Sequence, residues 1–118
     1  MVMSNELVVV MITAPGDQAK SLARAMVEQR LAACVNVLAG AFSVYRSEGM
    51  LEEKDESVLL VKTRTGAVPA LIELMEQLHP DKNFELVTLT VESTSLPYLN
   101  WLIDSVEVPE EEREWFMH

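Results

Sequence analysis

Residues Leu7 to Ile12, "LVVVMI", form an unbroken apolar run rich in β-branched side chains, and "TAPGD" ends it. That is the pattern of a strand covered on both faces, followed by a turn. From Gln18 to Arg30 apolar side chains recur at Leu22, Ala23, Met26 and Val27, a helical stripe with Asp17 placed to cap it. In "CVNVLAGAFSVYR" the apolar parity slips: Val35, Val37 and Ala39 hold one set of alternating positions, Phe42 and Val44 the other. Gly40 stands at the slip, so Cys34 to Arg46 reads as one long strand bent by a β-bulge. "SEGM" supplies a turn, and a return strand runs from about Leu51 to Lys62, opening with "EEKDE" and closing with "VLLV".

A second helix starts near Pro69, with Val68, Leu71, Ile72, Met75 and Leu78 at i, i+3, i+4 spacing, and Pro80 stops it. "FELVTLTVE" then alternates, placing Val87, Leu89 and Val91 on one face. A short helix from Leu96 to Val106 and a C-terminal helix in "PEEEREWF" complete the pattern. The order β-α-β-β-α-β with helical additions predicts an α+β fold, a ferredoxin-like plait in a single domain spanning residues 1–118. Two hairpin arms of roughly twelve residues at ~3.3 Å each reach about 40 Å, twice the usual strand. The two helices of a small plait do not cover that length. A ribbon exposing Phe42, Val44 and Tyr45 needs a cover, and partner subunits in a closed homo-oligomer are the expected one.

Composition narrows the function classes. With 49% apolar and 24% charged residues the chain falls in the ordinary globular range, so a buried core is expected. Its 19 acidic against 9 basic side chains give a formal charge of −10, a field that repels phosphate backbones and argues against nucleic acid. No apolar run approaches the ~20 residues that span a bilayer. Cys34 is the single cysteine and the N-terminus has no basic segment before an apolar one, so a cytoplasmic location is expected. GxGxxG, P-loop, HExxH and CxxC patterns are all missing, which argues against an enzyme.

The combination of "RLAACVNVLAG", "SVYRSEGMLEE", "VLLVKTR", "VPAL", the His79-Pro80 pair and "YLNWL" resembles the CutA family of divalent-cation tolerance proteins, from about Leu7 to Ser105. The resemblance implies a ferredoxin-like homotrimer, related in architecture to the PII signalling proteins, whose long hairpins wrap the neighbouring subunits. It also implies an association with copper (Cu2+) and other divalent cations. Some members are thought to bind copper through a cysteine ending the first strand, the histidine of the His-Pro pair and a glutamate opening the fourth strand. The matching positions here are Ile12, His79 and Glu85, so the thiol is replaced by an alkyl group.

Plait topology puts Ile12, His79 and Glu85 at one end of the sheet and Cys34 at the other. His79 has two readings: a helix terminus held by Pro80, or a metal ligand that together with Glu85 and Asp81 makes an open, weak site for copper or zinc. Glu85 shares the parity of Val87, Leu89 and Val91, so it either faces the core layer or reaches solvent at the strand's start. "EEKDE" reads as a solvated strand end, and Tyr98 with Trp101 as packing residues. A small-molecule or nucleotide sensor of the PII kind is the alternative function, although "TAPGD" with its single glycine makes no phosphate cradle.

Overall fold

The alternation of small turn residues with apolar stripes resolves into strands and helices close to those boundaries. In the computed structural model residues 1–109 are described. They form β1 (Val2–Met3), β2 (Leu7–Ala14), α1 (Gly16–Glu28), β3 (Cys34–Ser47), β4 (Met50–Arg64), a 3-10 turn (Thr65–Ala67), α2 (Val68–Leu78), β5 (Leu86–Thr90), β6 (Ser93–Thr94) and α3 (Leu96–Ser105). The helix expected in "PEEEREWF" lies almost wholly outside the described residues. The main sheet has the order β3-β4-β2-β5 with every neighbouring pair antiparallel, and β1 with β6 makes a small separate ribbon. This is the ferredoxin-like α+β plait.

One face of the sheet carries the core. Val8, Val10, Ile12 and Ala14 of β2, with Leu59 and Val61 of β4, are buried against Ala19, Leu22 and Met26 of α1 and Leu71, Leu74 and Met75 of α2. The expectation that β2 is covered on both faces needs correction: Val9, Met11 and Thr13 are only half-buried. On that second face α3 packs over just one end, where Leu7 meets Leu99 and Leu102. The register aligns Leu38 with Val58, Leu60 with Met11 and Met11 with Val87, so an apolar stripe crosses all four strands on this open face. Leu38, Val87 and Leu89 are exposed there.

The hairpin forms as its sequence demands. Between Leu38 and Ala41 the register shifts, and Gly40 at φ 85° supplies the backbone geometry of the bulge. Glu48 and Gly49 both have positive φ, as a tight two-residue turn requires. Arms of 14 and 15 residues extend the molecule to 51 Å in its longest dimension, against 34 and 25 Å in the other two. Beyond the bulge, Phe42 and Val44 project from the ribbon with 62% and 53% of their surface exposed.

Two local expectations are corrected. Asp17 is not the cap of α1; Pro15 is, and its carbonyl accepts the amides of Gln18 and Ala19, leaving Asp17 in the first turn where its charge favours the dipole. In β5 it is Leu86 that packs on the helix-side core, whereas Val87 and Leu89 face the open side. Glu85 precedes the strand by one residue and shares that open-side parity, so it does not point into the core.

Candidate functional site

Where β2 ends and α2 gives way to β5, the chain segments converge on a residue that Pro80 forces out of the helix. His79 is the C-cap of α2, with extended backbone (φ −71°, ψ 135°) and its amide still bonded to the Met75 carbonyl at 2.8 Å. Its side chain is buried, with 9% of the residue exposed. Nε2 lies 2.8 Å from the Thr13 carbonyl oxygen, which can only accept, so the imidazole hydrogen sits on Nε2. Nδ1 then offers its lone pair to the Asp81 amide at 3.0 Å. The ring also stacks on Phe84, centroid to centroid 5.1 Å. His79 is thereby a post that ties the α2–β5 loop to the end of β2, which makes the helix-terminus reading the one its geometry expresses.

In front of that post lies a cleft of ≈ 570 Å³. Thr13 and residues 81–85 form one wall; Ser43, Val44, Tyr45, Ser47, Lys54 and Glu56 of the hairpin form the other. Asp81 and Glu85 therefore line one space, while His79 stands behind it and Ile12, fully buried, belongs to the helix-side core. Cys34 pairs with Lys62 toward the opposite end of the sheet, as the topology requires.

The hairpin wall is the part that sequence reasoning missed. Ala41, Ser43 and Tyr45 pair with Glu56, Lys54 and Glu52, so they share one face of the ribbon. Glu56, read as part of a solvated strand end, is in fact buried at 7% exposure. The Ser43 hydroxyl donates to its Oε1, and the Lys54 ammonium lies 3.7 Å from its Oε2. That ammonium also reaches Asp81 Oδ2 at 3.3 Å and sits 5.5 Å from the Tyr45 ring centroid. Partial burial opposes the Lys54 charge, but the hydrogen bond and charge of Asp81, with smaller help from Glu56 and Tyr45, raise its pKa above the ordinary 10.5. Glu56 shares the parity of Val58 and Leu60 and so lies on the open face of the sheet; the contacts of Ser43 and Lys54 that accompany its burial there carry no local sequence signal.

Divalent ions fit these residues only loosely. Among the described residues, no three histidine, cysteine, aspartate or glutamate side chains come together as an ion-holding group. Asp81 and Glu85 offer carboxylate oxygens to the cleft, but both imidazole nitrogens of His79 are already bonded to main chain. Among the described residues no helix is long and apolar enough to cross a membrane.

Comparison with known proteins gives a consistent result. A divalent-cation tolerance protein CutA from Thermus thermophilus is 46% identical over 95 residues, covering 80% of this chain and 92% of the relative. A Xenopus laevis CutA homolog is 42% identical over 104 residues, 87% of this chain and 69% of its own length. Against the mouse and human CutA proteins, the chain spans about half of the relative, 52% and 51%. Among solved structures, the divalent cation tolerance protein Cut A1 of Thermus thermophilus superposes with a TM-score of 0.84 at 43% identity, covering 86% of this chain and 99% of that one. CutA1 from Oryza sativa gives the same TM-score at 34% identity, covering 88% and 98%. The profile of the family described as "CutA1 divalent ion tolerance protein" matches residues 8–105, and the chain belongs to that family.

Proposed function

We propose that this protein serves divalent-cation tolerance as a cytoplasmic homotrimer of one-domain subunits that binds divalent ions, copper among them, at the cleft between the hairpin and the α2–β5 loop. The observation that carries the ion-binding reading is the convergence of Asp81 and Glu85 on one cleft backed by His79. Asp81 and Glu85 supply oxygen donors, and water fills the remaining positions, which makes the site open and weak. His79 joins it only by exchanging the Asp81 amide for the ion at Nδ1. Assembly is supported by the apolar stripe of Leu38, Leu60, Met11, Val87 and Leu89 and by the projecting Phe42 and Val44, surface that a protomer alone leaves in water. The trimeric count rests on kinship with the CutA proteins. Calorimetric titration with copper(II) of the wild type and of an Asp81→Asn/Glu85→Gln double variant tests the site. Binding that weakens tenfold or more in the variant is expected, and equal affinity would move the site elsewhere. Cleft size favours a second reading, a small-molecule sensor, because ≈ 570 Å³ lies within the ~300–1,000 Å³ typical of ligand pockets.

A further inference from the structure

Strand β4 outruns its neighbour on one side. The last residue of β2 in register with it is Ala14, opposite Ser57, and Pro15, which has no amide hydrogen to give a ladder, then turns the chain into α1. Residues Met50 to Glu56 of β4 therefore pair with β3 alone among the described residues. Over this stretch of about 23 Å, every second residue turns its N–H and C=O toward the side that β2 has left. There the α2–β5 loop reaches β4 through the Lys54–Asp81 ion pair and, among the described residues, not through backbone hydrogen bonds. The cleft of ≈ 570 Å³, with Lys54 and Glu56 in one wall and residues 81–85 in the other, leaves room beside that edge.

An open edge takes either water or another strand, and the side chains around it decide which strand it accepts. Glu52, Glu53, Asp55 and Glu56 stand on this stretch against one ammonium, that of Lys54. Lys54 is held by Glu56 and Asp81, whereas Glu52, Glu53, Asp55 and, across the cleft, Glu85 have no ion-pair partner among the described residues. Pairing with the same edge of a second copy would set these carboxylates against one another, and like charges facing across a ladder destabilise it. A strand bearing ammonium or guanidinium groups meets the opposite balance. We infer that the free edge of β4 at Met50 to Glu56 takes an extended, cationic polypeptide segment by strand addition: backbone hydrogen bonds hold it, and the unpaired carboxylates select a chain rich in lysine or arginine. The occupant is a polypeptide rather than a free amine, because the edge offers a ladder of N–H and C=O groups that only another backbone matches. This goes beyond the ion-binding reading and does not depend on it.

The test is calorimetric titration of the full chain, in chelator-treated buffer of low ionic strength, with a short end-blocked peptide of alternating lysine and threonine. Two controls are the same peptide N-methylated at every second residue, which keeps its charge and loses its donors, and the peptide with glutamate in place of lysine. The lysine peptide is expected to bind, and each control to bind about tenfold or more weakly, the first because it forfeits several hydrogen bonds. A combined Glu52→Gln/Glu53→Gln/Asp55→Asn variant, altered only at exposed side chains, should weaken the lysine peptide severalfold. Hydrogen exchange with the peptide bound should slow at amides within residues 50–56. No binding would overturn the inference and leave the acidic run as a guard that keeps the edge wet. Equal binding of the N-methylated peptide would reduce the effect to charge attraction, equal binding of the glutamate peptide would remove the charge selection, and protection confined to β3 or β5 would put the segment elsewhere; each overturns the inference.

Discussion

Replacing His79 by alanine separates its structural from its ligand role, because the structural role needs no metal. The truncation removes the Nε2–H bond to the Thr13 carbonyl and the bond from the Asp81 amide to Nδ1. Each is worth about 1 kcal/mol net in a folded protein. The stack on Phe84 adds roughly 0.5–1.5 kcal/mol for an aromatic pair. The sum is about 3 kcal/mol, a large part of the roughly 5–15 kcal/mol that keeps a domain folded. Urea unfolding of wild type and His79→Ala in chelator-treated buffer measures it. Protomer concentration must be held fixed, since assembly makes stability concentration-dependent. A loss of about 2–4 kcal/mol is expected with no metal present. A loss below about 1 kcal/mol would refute the reasoning.

Close contacts elsewhere give two more expectations. A Cβ at Gly66 would lie 2.7 Å from Val108 Cγ1, and Val108 is buried, so Gly66→Ala must displace the Val108 side chain and should cost about 1–3 kcal/mol in a urea titration; a neutral variant would mean that Val108 is not packed there. Lys54 has its pKa raised in the folded state, so the stability it gains from Asp81 and Glu56 is fully present below about pH 10.5 and is lost as pH climbs through the higher folded value. Its side chain is 39% exposed, which limits the effect to about 0.2–1 kcal/mol, and the difference between wild type and Lys54→Met should be present at neutral pH and vanish at strongly alkaline pH. A difference that persists there undiminished would contradict the ion-pair account.

Much of the fold was legible because apolar period and glycine placement are local signals. The parity slip at Gly40 and the turn at Glu48-Gly49 reported the bulge and the hairpin directly. Burial across the sheet was less legible, since "LVVVMI" reads as doubly covered whether the second cover is a helix of the same chain or another molecule. For β5, parity alone could not say which set faced the helices, and Leu86, not Val87, turned out to be the inward residue. At the candidate site, the sequence marked His79, Asp81 and Glu85 but not their arrangement. The hydrogen bond from the Asp81 amide to Nδ1 and the wall contributed by Ser43, Lys54 and Glu56, which are 25 to 38 positions away from Asp81 along the chain, depend on how the ribbon folds back over the loop.

Crystals of the protein soaked in copper(II) and measured at the copper absorption edge test the central claim most directly. The account predicts an anomalous peak in the cleft at roughly 2.0–2.2 Å from carboxylate oxygens of Asp81 or Glu85. A fully soaked crystal with no peak in that cleft, or with its peaks only at other carboxylates, would contradict it.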